Sequence, residues 1–78
     1  MKIEAYIDII DAKTNNILDT ATIDVDIDYV EDNKDSVEEW IENSDIWNTI
    51  SSNWQQGGKF VRFNVTNIQD ILEELKHN

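Results

Sequence analysis

From Thr20 to Tyr29 the chain alternates polar and apolar side chains without a break, and the strictest part is Ile23, Asp24, Val25, Asp26, Ile27, Asp28. Only an extended strand turns such a pattern into one apolar face and one polar face. Residues 2–10 repeat it, with Ile3, Ala5, Ile7 and Ile9 on one side and Lys2, Glu4, Tyr6 and Asp8 on the other. The cluster DAKTNN, residues 11–16, has the small polar composition of a turn. Residues 2–10 and 17–30 are therefore expected to form an antiparallel hairpin. Ile23, Val25, Ile27 and Tyr29 should face the core.

Helical spacing follows. Asp35 and Glu38 have the form of a capping box, with Val37, Trp40 and Ile41 as the apolar stripe behind it. Ile46, Trp47, Ile50 and Trp54 make a second stripe, which in one straight helix would lie roughly 115° from the first. Ser44 is a good N-cap between the two, so a break there and two short helices are expected. Gly57 and Gly58 end the second helix. KFVRFNV, residues 59–65, reads as a third strand with Val61, Phe63 and Val65 inward and Phe60, Arg62 and Asn64 outward. Thr66 and Gln69 suggest a capping box for a last helix, whose stripe is Ile68, Ile71, Leu72 and Leu75. Residues 1–78 thus read as one α+β domain of order β-β-α-α-β-α: a three-stranded, mainly antiparallel sheet with helices packed on one face. The expected strand order is 2-1-3, with Lys59 and Arg62 near Glu4 or Asp8.

Charge then narrows the function. The chain has 17 acids against six Lys and Arg, a net charge of -11, and residues 14–54 hold nearly all of the excess. Such a field repels nucleic acid and anionic membranes and attracts basic surfaces. Acids on one strand face stand about 6.6–6.8 Å apart, close to the through-space separation of successive phosphates. Asp24, Asp26 and Asp28, extended by Glu31, Asp32, Asp35, Glu38, Glu39 and Glu42, thus outline a nucleic-acid-like surface. The expectation is a non-catalytic acidic binding protein, a nucleic-acid mimic that inhibits a DNA- or RNA-binding enzyme. The alternative is an acidic protein-interaction partner, such as an antidote to a basic toxin or a subunit of a cellular complex. The same row also reads as a solvated sheet face that blocks edge-to-edge pairing. In size and charge alone the chain resembles the small acidic anti-restriction and anti-CRISPR proteins of phages and other mobile elements.

Tyr6, Trp40 and Phe60 are the candidate aromatic anchors; Ile10 would join Tyr6 and Phe60 on the outward sheet face. Trp40, Trp47 and Trp54 recur every seventh residue and serve first as core or core-rim residues. No catalytic residue, cofactor or metal is expected. There is no cysteine, the one histidine is His77, and Asp24-x-Asp26-x-Asp28 departs from a calcium loop because Tyr29 stands where its turn needs glycine. Glu4 and Asp8 interrupt the N-terminal apolar run, which argues against a signal peptide and for a cytoplasmic protein. In that setting the sequon at Asn64 is a chance match. The expected partner is a basic surface of a nucleic-acid-binding protein, with no direct nucleic-acid or membrane contact, and the chain is expected as a monomer or homodimer.

Overall fold

The computed structural model describes residues 1–77. The hairpin is present as strands β1 (Lys2–Asp11) and β2 (Ile17–Asp26), and a short third strand, β3 (Val61–Val65), pairs with the other side of β1. All pairing is antiparallel and the order is β2-β1-β3. Helices α1 (Lys34–Glu42), α2 (Asp45–Gln56) and α3 (Ile68–Lys76) complete the α+β fold. No helix among the described residues is long and apolar enough to cross a membrane.

The core follows from the alternation. Ala5, Ile7 and Ile9 of β1, Ile23 and Val25 of β2 and Val65 of β3 are buried on one sheet face, against Val37, Ile41, Trp47 and Ile71 of the helices. Trp47 meets Phe63 edge to face, with ring centroids 4.9 Å apart, a geometry that adds to the area both rings bury. The break between α1 and α2 falls where the two stripes diverge. Ser44 Oγ donates to the Ile41 carbonyl at 2.6 Å and accepts from the Trp47 N–H at 3.2 Å, ending one helix and starting the next. At the far end of α2, Gly58 takes φ +86°, and the Lys59 and Gly58 N–H groups donate to the Trp54 and Gln55 carbonyls, a Schellman stop.

Several local expectations are corrected. The second strand stops at Asp26, not residue 30: the Asp26 side chain accepts from the Asp28 N–H at 3.1 Å and bends Ile27–Tyr29 into a 3-10 turn. Tyr29 therefore swings out to 78% exposure, although Ile27 stays buried. Helix α1 is capped by Asn33, whose Oδ1 accepts from the Ser36 N–H at 2.8 Å, because Asn33 holds the extended backbone a cap needs and Asp35 is already helical. Ile46 is about half exposed, outside the core stripe assigned to it.

Thr66 and Gln69 do not cap α3. The residue before the helix is Asn67, which is committed elsewhere: its Oδ1 accepts from the Tyr6 N–H at 2.8 Å and its Nδ2 donates to the Glu4 carbonyl at 2.9 Å. The side-chain amide thereby continues the ladder of β1 past the end of β3. Lys59 and Arg62 do not reach Glu4 or Asp8. Strand β3 lies against Ile7–Asp11, which sets Arg62 opposite Ile10, its guanidinium donating to Asn15 Oδ1 at 2.9 Å, and Lys59 beside Asp11 at 3.5 Å. Ile10, expected in the outward apolar strip, is buried next to a register shift that pairs it with Ile17.

Candidate protein-binding surface

The backbone decides where the acids go. Tyr6 and Glu4 direct their peptide groups toward Asn67 and Thr66, with the Tyr6 carbonyl accepting from the Thr66 N–H at 2.8 Å. On the β2 side, Tyr6↔Thr22 and Glu4↔Asp24 are therefore the non-hydrogen-bonded type of pair. In such pairs the side chains stand closest, so the Glu4 and Asp24 carboxylates face each other directly on the open sheet face, an arrangement that costs stability. Both residues are exposed, and neither has a cationic partner among the described residues.

Asp26 and Asp28 behave differently. Asp26 lies opposite Lys2, and the Met1 amine sits 3.8 Å from Asp26 Oδ1 and 2.8 Å from Asp28 Oδ2. The hydrogen bond to Asp28, with smaller help from the charges of both carboxylates, outweighs desolvation and holds this amine above its ordinary pKa. The three aspartates are thus not one extended row. Asp24 stands on the strand, Asp26 caps the turn, and Asp28 is turned onto the N-terminus.

Glu31 and Asp32 are exposed on the connection to α1. On the helix, Asp35, Glu38 and Glu42 fall within one stripe that flanks the buried Val37 and Ile41, with Asp35 and Glu42 exposed and Glu38 half-buried. Ser36, Glu39, Trp40 and Asn43 occupy the adjoining side and border an open cleft of about 710 Å³. Ile23 and Asp24 of β2, with Lys2, Tyr29, Ser44, Asp45 and Ile46, complete its lining. The sequence-identified acids are therefore divided: Asp24, on the edge strand, and Glu39, on α1, both border the cleft that Trp40 lines, and Asp35, Glu38 and Glu42 lie on another side of α1. Of the aromatic anchors, Trp40 is half-buried in the cleft wall; Tyr6 and Phe60 are exposed on the sheet and the loop before β3 and do not line the cleft.

Sequence reasoning missed Tyr29, Asp45 and Ile46 as site residues. Tyr29 was hidden by an alternation that runs one turn past the end of β2. Asp45 reads as an ordinary first-turn acid, suited to a helix N-terminus. Ile46 falls on helical spacing with the core residues. The cleft offers apolar walls at Tyr29, Trp40 and Ile46, above the fully buried Ile23, with carboxylates at Glu39 and Asp45 and the edge of β2 at Asp24 alongside, a combination suited to a ligand both apolar and positively charged. Among the described residues, no group of three or more His, Asp or Glu is placed to hold a metal ion.

The chain matches no family model, and comparison with curated proteins and with solved structures likewise finds no match.

Proposed function

We propose that this is a non-catalytic binding protein that acts in the cytoplasm by covering a basic, nucleic-acid-binding surface of another protein, so that nucleic acid and this chain compete for one site. It is an inhibitor of the sort that mobile elements direct against nucleic-acid enzymes. One observation carries the reading: from Asp24 to Asp45, every acid except Asp26 and Asp28 lacks a cationic partner among the described residues. Asp35 and Glu39, and likewise Glu38 and Glu42, stand at i,i+4 on α1, where like charges oppose helix formation by about 0.2–0.5 kcal/mol per pair. Unneutralised charge on this scale works against the fold and suits a partner that brings the opposite sign.

A second reading rests on the cleft. Trp40, Tyr29 and Ile46 give apolar anchorage that charge mimicry does not need, and this favours an acidic protein-interaction partner, such as an antidote, held by shape. The experiment captures proteins from the source cells on immobilised wild type and on a variant carrying Asp35→Asn, Glu38→Gln and Glu42→Gln. The mimic reading expects a nucleic-acid-binding protein that duplex DNA or RNA displaces, that salt releases steeply and that the variant fails to retain. A partner held equally by both forms, insensitive to salt and nucleic acid, would reject it in favour of the second reading.

A further inference from the structure

We propose that the outer edge of β2 receives an extended segment of the partner as a fourth strand, and that this segment alternates lysine or arginine with apolar residues. The inference rests on the acidic-binder reading and names how such a partner docks.

The edge is open by the geometry of its pairing. Because Tyr6↔Thr22 and Glu4↔Asp24 are non-hydrogen-bonded pairs, the N–H and C=O groups of Thr22 and Asp24 point out of the sheet, where no strand of the described residues lies. Thr20 points the same way, but its N–H is taken by Asp19 Oδ1 at 2.8 Å. Two consecutive outward-facing residues thus offer a ladder of about four main-chain hydrogen bonds. The corresponding edge of β1 is already closed by β3, Thr66 and Asn67.

Side-chain specificity follows from alternation. A strand added at Thr22–Asp24 would place every second side chain on the helix side, where Tyr29, Trp40 and Ile46 line the cleft beside the buried Ile23. The others would lie on the open face beside Thr22 and Asp24, with Glu4 one strand further in. The first set meets apolar walls and the second meets carboxylates.

Charge selects the occupant. Edge strands of soluble proteins are usually protected by lysine, proline or a bulge; β2 has no lysine or proline, and its register shift lies at the far end, near Ile17. Its protection is Asp19 and Asp24, which repel an acidic edge and attract a basic one. A second copy would bring a net charge of -11 against the same charge.

The test uses the full chain and fluorescein-labelled peptides about nine residues long, read by anisotropy. The first alternates lysine with valine. The second has the same composition with all lysines at one end. The third is the alternating peptide with the amides of one edge N-methylated. The alternating peptide is expected to bind at least about tenfold tighter than either control. Asp24→Asn is expected to weaken it, as is Tyr29→Ala, a substitution at an exposed residue that leaves the core intact. Equal binding of the first and second peptides, or of the first and third, would overturn strand addition while leaving the acidic-binder reading standing. No binding of any peptide would also overturn it, and the capture experiment decides the broader reading separately.

Discussion

Asn67 is the residue whose replacement best tests how the sheet is closed. Its amide makes two hydrogen bonds to β1, at 2.8 Å to the Tyr6 N–H and 2.9 Å to the Glu4 carbonyl. A net 0.5–1.5 kcal/mol per bond gives about 1–3 kcal/mol for Asn67→Ala, and partial solvent access favours the lower half of that range. In a domain of this size 1 kcal/mol moves Tm by about 4–8 °C, so a fall of roughly 4–16 °C is expected. Asn67→Asp separates the two bonds. One carboxylate oxygen still accepts from Tyr6, but the other faces the Glu4 carbonyl with no proton to donate, in a chain already at -11. At neutral pH this variant should be no more stable than Asn67→Ala; as pH falls through the carboxyl range it regains a donor and should overtake it. Urea denaturation followed by tryptophan fluorescence and circular dichroism reads both effects. An Asn67→Ala protein within about 0.5 kcal/mol of wild type, where surface substitutions without a structural role fall, would refute the claim that this amide extends the ladder.

Ser44→Ala removes the acceptor of the Trp47 N–H and should cost about 1 kcal/mol in the same assay, with α2 fraying first. Asp11 accepts from the Lys13 and Thr14 N–H groups at 2.8 and 3.3 Å and pairs with Lys59, and the Lys13 bond, above all, lowers its pKa. A depressed carboxyl stabilises the fold above its unfolded pKa and loses that contribution as pH falls through the folded value. Asp11→Asn should therefore destabilise the protein most at neutral pH, and the deficit should shrink below about pH 3.8, the ordinary value for the group. Asp24→Asn should stabilise the fold. Two charges about 5 Å apart in water repel by about 0.8 kcal/mol, roughly halved at physiological salt. The gain should be largest at low ionic strength and disappear near 1 M salt.

The elements most legible in the sequence were those in which one buried face imposes a period. Ile3 to Ile9 and Ile23 to Val25 alternate because the helices cover one side of the sheet, and the strand order followed from a hairpin that needed a third partner. The divergence of the Val37–Ile41 and Trp47–Trp54 stripes located the break at Ser44 for the same reason. What escaped depended on short polar side chains choosing between neighbours. Asp26 bonding the Asp28 N–H ends β2 while the apolar alternation continues, and nothing in the pattern marks the difference. Asn67 and Thr66 are adjacent candidates for a cap, and neither caps α3 because both side chains bond β1 instead. The partners of Lys59 and Arg62 depend on register, and the short β3 sits at the end of β1 away from Glu4. The acids divided for a related reason. Spacing along the chain puts Asp24, Asp26 and Asp28 in one row, whereas the turn at Ile27 sends the last of them to Met1.

The central claim is that the unpartnered acids form a surface for which nucleic acid competes. Its most direct test takes the captured partner in purified form and titrates it with this protein at increasing concentrations of duplex DNA or RNA. The account predicts that the apparent Kd rises in proportion to nucleic-acid concentration and that the Asp35→Asn, Glu38→Gln, Glu42→Gln variant binds more weakly with a shallower salt dependence. A ternary complex of partner, nucleic acid and this protein, with its Kd unchanged, would contradict it.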